Sequence, residues 1–266
     1  MAIERRPDWL ARAFLSGFGA TALMLGTFML AFTLARIIGS YSSQPGIVGM
    51  LSTWFARLTE NPVMEMARAN FYESLALHMV VGVLFALVYA FWFQPRLPGE
   101  GWMKGMLFSL IPWFLSVVVF LPLVGAGLFG VKLQAGPLPA IGNLILHLIY
   151  GLTLGFMYGR VGDVPLETPQ DEQERADEAR AASSVSLGGA RGVLIGLMLG
   201  LVAGFLLMQV MHRPVGPGEV SSPLTPGWFV VTAAILGAGL GGIIGSLAAL
   251  PTTHASTGAG QSSPTR

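Results

Sequence analysis

Two histidines, His78 and His147, stand inside long apolar stretches, "SLALHMVVGVLFALVY" (74–89) and "NLILHLIYGLTLGFMY" (143–158). The stretches share a pattern: Ser74, His78, Gly82, Ala86 and Tyr89 answer to Asn143, His147, Gly151, Gly155 and Tyr158. Steps of four, four, four and three residues keep each set on one helical face. Apart from the weakly acidic tyrosines, these imidazoles are the only ionisable groups well inside an apolar run; every Asp, Glu, Lys and Arg can be placed at a run's end or in a connection. An ionisable group in hydrocarbon is costly, usually turns inward and is a functional suspect by default. The candidate polar site is therefore His78, His147, Asn143, Ser74, Tyr89 and Tyr158. Gly82, Ala86, Gly151 and Gly155 supply the small residues for close helix contact.

Four kinds of chemistry suit such imidazoles. As neutral rings they can hydrogen-bond to another helix, for instance to Asn143, Ser74, Ser109 or Ser116, bonds worth about 0.6–2 kcal/mol in a membrane. As a pair on spans running the same way they can ligate a b-type haem, Gly82 and Gly151 leaving room for the macrocycle, although glycine stripes also draw helices together. They can line a site for a small polar solute, a quinone headgroup or a proton. Lastly they can bind a metal, although two ligands are too few for a closed zinc site and no mid-span carboxylate completes the set. The expected cofactor complement is none, with b-type haem as the one alternative, and no metal.

The elements that must position these residues follow from composition. Of 266 residues 53% are hydrophobic and 11% charged, against roughly a quarter charged in a soluble domain. The absence of cysteine excludes disulfides, thiolate metal sites and cysteine nucleophiles. A net charge of +1 makes no electrostatic case for nucleic acid. Six nearly uncharged runs are long enough to cross a hydrocarbon core of about 30 Å as helices: Ala13–Leu34, Ser74–Phe93, Gly105–Val124, Leu138–Gly159, Gly192–Met211 and Gly227–Leu250. The first is too long for a signal-peptide core and lacks a clear cleavage site, so it reads as an uncleaved span. The expected fold is all-α: a polytopic membrane bundle of six helices, with parallel-repeat hairpins and glycine-zipper packing. Each histidine lies about 20–24 Å of helix from the inner end of its span, which puts both rings in the outer third of the membrane.

Lys and Arg set the orientation. With six spans, one side carries Arg5, Arg6, Arg12, Arg96, Lys104, Arg160, Arg175, Arg180, Arg191 and Arg266, and the other Arg36, Arg57, Arg68, Lys132 and Arg213. Ten against five favours cytoplasmic N- and C-termini in a prokaryotic inner membrane.

The expected organisation is a four-span core over 1–160, an acidic cytoplasmic linker over 161–190, a two-span hairpin over 191–250 and a disordered tail over 251–266. Within the core, residues 39–73 read as two short amphipathic helices on the outer interface, with Asn61-Pro62 between them, or as an ordered loop with buried aromatics. "QPRLPGEG" is a proline-rich turn between Trp92 and Trp102. "GAGLFGVKLQAGPLP" is apolar for a loop and is expected to fold back into the protein. In the linker, Thr168 stands as an N-cap before Pro169, which suits a short solvated helix; a disordered segment is the other option.

Small residues also mark the hairpin. Gly192, Gly196, Gly200 and Gly204 form one stripe and Ala233, Gly237, Gly241 and Gly245 another. In lipid, helices associate through van der Waals contact that small residues permit. A tight hairpin is the direct reading and a dimerisation face the alternative. Pro112 should kink the third span, and Ser109 and Ser116 beside it read as hydroxyls that satisfy backbone, not as nucleophiles.

"GFGATALML", "LPGEGWMKGMLFSLIPWF", "PLVGAGLFG" and "LHLIYGLTLGFMYG" together resemble a family of archaeal and bacterial four-span membrane proteins catalogued only as a domain of unknown function. The resemblance covers roughly residues 13–160 and centres on His147, Gly151, Gly155, Tyr158 and Gly159. It implies a multipass topology and offers no activity to carry over. The fifth and sixth spans and the acidic linker are additions to that pattern.

No mid-span Asp or Glu forms an acidic relay, and no Walker, Rossmann, zincin or nucleophile-elbow signature appears in a suitable context. The expected function is non-enzymatic: an accessory, structural or assembly subunit of a membrane complex, partnered by lipid and by protein subunits or further copies of itself. The alternatives are a passive carrier or channel using His78 and His147, and a haem- or quinone-linked electron carrier.

Overall fold

The computed structural model describes residues 9–41, 44–159, 172–211 and 226–249, which are helical with no strand among them. Six of the helices are long and apolar enough to span a membrane, so the protein is a polytopic helical membrane protein. The elements in order are α1 (Trp9–Gly39), α2 (Gly46–Thr59), α3 (Pro62–Ala69), α4 (Phe71–Val88), α5 (Gly101–Leu115), α6 (Leu121–Leu123), α7 (Leu138–Gly159), α8 (Glu172–Met211) and α9 (Pro226–Ala248). A π-turn, Tyr89–Phe93, extends α4, and a second, Ser116–Phe120, joins α5 to α6. The second leads into Pro122, which lacks the N–H that would bond back to Val118 within that turn.

Helix α1 is the hub. It packs against α4, α7 and α9, while α5 pairs with α7 and α8 with α9. Small residues decide each pairing. Gly17 of α1 faces the Ala86 side chain, and Gly82 of α4 is so close to Thr21 that a Cβ there would collide with the threonine. Gly105 and Gly151 place backbone against backbone between α5 and α7, as do Gly101 and Gly155. The same antiparallel register recurs in the hairpin, where Gly192 meets Gly241, Gly196 meets Gly237, Gly188 meets Gly245 and Gly200 meets Ala233. Gly204 lies against Val230. Contacts this close are open only to residues without a Cβ, and they supply the dispersion energy that lipid does not take away.

The hairpin docks on α1 through Leu236, which fills the notch at Gly26, and through Gly239, which lies against Leu23. Trp228 donates to Thr33 Oγ1 at 3.2 Å and packs on Phe32 and Phe71. Together α8 and α9 leave an apolar groove of about 780 Å³ along Ile195, Leu199, Leu236, Leu240 and Ile244, with Arg191 at one end.

Residues 46–69 do form two short helices. Asn61 joins them: its Oδ1 accepts from Met64 N at 3.1 Å, capping α3, while its Nδ2 donates to the last carbonyls of α2. The buried face of α2 carries Gly49, Ser52 and Thr59, whereas Ile47, Val48 and Leu51 turn outward. Among its aromatics, Trp54 covers Gly136 at the entry to α7. The loop before α7 folds back on the bundle: Leu128–Leu133 form a 3-10 turn, Gly130 lies against Pro139, and Ala126 and Ala135 are buried.

The boundary expected near residue 190 is not an element boundary. Helix α8 runs unbroken from Glu172 to Met211, so the fifth span continues into the acidic segment. Packing against α9 begins by Ser184, whose Oγ donates to Ala249 O at 3.3 Å. Thr168, Pro169 and the tail 251–266 lie outside the described residues.

Candidate intramembrane polar site

The two halves of the bundle differ in chemistry. Toward the end where α7 finishes, the core is aromatic: Tyr89, Phe108, Tyr150 and Tyr158 pack with Ala13, Ala20, Ala86, Ala90 and Leu154. Arg12 is buried here; it donates to Tyr158 O at 2.6 Å and lies 5.0 Å over the Tyr158 ring. A cation at the end of α7 meets the negative end of that helix's dipole and the face of an aromatic ring together.

The other half, next to α2 and α3, holds the histidines. His78 Nδ1 lies 2.8 Å from Ser74 O and His147 Nδ1 lies 2.9 Å from Asn143 O. A carbonyl only accepts, so both Nδ1 atoms carry the proton and donate to the preceding turn of their own helix. Nε2 of each ring then lies on the side away from that backbone. Neither Nε2 has a partner among the described residues.

One turn along α7, Asn143 Nδ2 donates to Ser116 Oγ at 3.0 Å, while its buried Oδ1 has no partner among the described residues. Ser116 is the first residue of the second π-turn. On the other side of the histidines, the Tyr150 hydroxyl donates to Gly82 O at 2.6 Å and ties α7 to α4. The polar residues thus climb the bundle in order: Tyr150 with Gly82 O, then His147 and His78, then Asn143 with Ser116.

Several sequence expectations change here. Of the four chemistries, the first has the imidazoles bonding across to another helix; instead each bonds to its own helix, Ser74 and Asn143 serving through backbone oxygens. His78 is exposed on the bundle surface and His147 half-buried. The reason is helical drift. Each four-residue step advances about 400°, so a stripe of such steps winds about 40° per step. Packing centred on Gly82 and Ala86 carries His78 to the edge of the contact.

Tyr89 and Tyr158 do not join the histidines. They sit 5.9 Å apart in the aromatic core, 0% and 6% exposed. The tyrosine at the polar site is Tyr150, which the repeat pattern does not include; a tyrosine in mid-span, away from the span's end, was its available signal. Ser109 is buried against Gly151 and donates to Met106 O at 2.7 Å, so its hydroxyl serves backbone as expected.

Nor do the matched glycines face a shared space. The notch at Gly82 is filled by Thr21 and that at Gly151 by Gly105 and Ser109. The room assigned to a haem between Gly82 and Gly151 is taken by protein, so those residues do not fit that group. Among the described residues no cluster of three or more His, Cys, Asp or Glu side chains could hold a metal ion.

Comparison with known proteins places the four-helix part. A family model described as a family of unknown function (DUF6789) matches residues 8–168. No curated protein and no solved structure matches the chain.

Proposed function

Because the chain belongs to the DUF6789 family of unknown function, we propose its role from its own geometry: a non-enzymatic accessory or assembly subunit of a membrane protein complex. The observation that carries this reading is the α8–α9 hairpin. It follows the segment that the family model matches, and docks on α1 largely through α9. Along its outer side runs the apolar groove over Ile195, Leu199, Leu240 and Ile244. Gly192, Gly196, Gly237, Gly241 and Gly245 act as a glycine zipper that fixes the hairpin as one rigid ridge. A rigid, grooved, peripheral helix pair is the kind of surface on which a partner's transmembrane helix packs, because shape complementarity has to supply the association energy in lipid.

In this reading the chain lies in a prokaryotic cytoplasmic membrane with both termini inside, as the ten-to-five division of Lys and Arg supports. The test uses the absence of native cysteine. A photo-activatable thiol reagent is placed on Leu199→Cys and, as a control, on Val80→Cys of α4, in native membranes. The groove position should give one adduct of discrete higher mass and the control position none. Monomer alone from both positions, with monomer alone on native gels of gently solubilised membranes, would remove the proposal.

A further inference from the structure

The groove between α8 and α9 joins an apolar trough to a single cation. Gly192, Gly196, Gly237 and Gly241 bring the two backbones together along it, so its floor is glycine. Ile195, Leu199, Leu240 and Ile244 line it and are exposed. Arg191 is the one charged residue among those that line it. No hydrogen bond, ion pair or ring contact involves Arg191 among the described residues. Its neighbours one turn away on α8 are Leu187, Gly188, Leu194 and Ile195, so its own helix supplies no counter-charge.

The length of the groove fits one leaflet. Arg191 stands just before the apolar run 192–211, where its side chain reaches headgroup level. From Arg191 to Ala203, the last α8 residue that lines the groove, is twelve residues, about 18 Å of helix. Half of a hydrocarbon core of about 30 Å is about 15 Å. A lipid of the leaflet in which Arg191 lies therefore meets the cation with its headgroup and the groove with its chain.

Charge selects among occupants. Two copies of this chain inserted in the same sense would pack about a two-fold axis, which sets one Arg191 guanidinium against the other at low dielectric. A zwitterionic headgroup brings an ammonium, for which the residues lining the groove include no carboxylate. A headgroup of net negative charge has no such cation to place, and a guanidinium meets its phosphate through paired N–H donors.

We propose that the α8–α9 groove binds an anionic phospholipid, one acyl chain lying along the glycine floor and the phosphate on Arg191. This deepens the accessory-subunit reading and rests on it for the role of the groove, the lipid being the layer over which a partner helix packs.

The experiment uses the full, otherwise cysteine-free chain, purified without any partner into nanodiscs. Its outcome is therefore separate from that of partner crosslinking in native membranes. Leu199→Cys carries a bimane reporter eight residues from Arg191. Leu152→Cys is the control, an exposed position seven residues from the end of α7. Phosphatidylglycerol brominated in mid-chain is titrated against phosphatidylcholine, and brominated phosphatidylcholine against phosphatidylglycerol. Quenching at Leu199→Cys should show a preference for phosphatidylglycerol about fivefold above that at Leu152→Cys, the effect of one cation meeting one lipid charge. Arg191→Gln should lower the preference at the groove to that of the control position and leave the control and the helix content unchanged. Arg191→Lys should keep most of it. Equal preference at the two positions, or a groove preference that survives Arg191→Gln, would overturn the proposal.

Discussion

The Tyr150 hydroxyl reaches across from α7 to donate to the Gly82 carbonyl of α4 at 2.6 Å. It is a side-chain hydrogen bond between two spans in the interior of the bundle, and it divides the aromatic half from the histidine half. Gly82 is also the residue where Thr21 of α1 comes closest to α4. Three helices are thus held together within one turn of the histidines.

Tyr150→Phe should keep the packing of the ring and lose only this bond. The Gly82 carbonyl retains its own helix N–H, so the cost should be about 1 kcal/mol, within the range for such bonds in membranes. SDS-induced unfolding in mixed micelles measures it. A midpoint unchanged from wild type would show that the bond does not hold α4 to α7.

Glycines of one helix are predicted to differ sharply. A Cβ at Gly151 would run into Gly105 O and Ser109, whereas one at Gly142 meets nothing within 4 Å. Gly151→Val should separate α5 from α7 and cost more than about 3 kcal/mol, with much of the protein lost on extraction. Gly142→Ala should be neutral or stabilising by about 0.5–1 kcal/mol, through helix propensity alone. Thermal stability in detergent distinguishes the two, and equal behaviour would refute the packing.

The hairpin register predicts a disulfide. A Cβ built at Gly189 would stand 3.9 Å from the Ser246 Cβ, close to the mean for a natural bridge. In the cysteine-free chain, Gly189→Cys with Ser246→Cys should oxidise under copper phenanthroline and lose reactivity to a maleimide-polyethylene glycol. Gly189→Cys with Thr232→Cys should remain reactive. Free thiols in the first pair would contradict the register of α8 on α9.

Asn61→Ala should loosen the α2–α3 corner. The side chain caps α3 and also closes the end of α2, so its loss should cost about 1–2 kcal/mol locally. Hydrogen exchange of the amides in 46–69 should speed up, while amides in the centre of α1 keep their protection. No change in 46–69 would show that the corner is held by other contacts.

The histidine repeat shows where legibility ended. Ser74 to Tyr89 and Asn143 to Tyr158 are matched in type and spacing, and sequence reasoning assigned them one shared site. In the folded protein the matched glycines take different partners, Gly82 meeting α1 and Gly151 meeting α5, and the matched tyrosines belong to the aromatic core. Residue type sets what a helix face can accept; which neighbour arrives depends on the arrangement of all the helices. The same limit hid Tyr150 and Arg12, whose roles depend on a carbonyl and a ring contributed by distant residues.

What the sequence determined by itself is the solvent and the spans: six apolar runs of spanning length must satisfy their backbones as helices, because that demand is met within each segment; it leaves residues 39–73 open between two short helices and an ordered loop. The tertiary structure alone decided which glycine faces which carbonyl, that α8 runs unbroken past residue 190, and that both imidazoles spend their Nδ1 protons on their own helices while Nε2 stays open. Those outcomes depend on helix drift, on a π-turn at Ser116 and on close approach between residues far apart in the chain, and no local pattern encodes them.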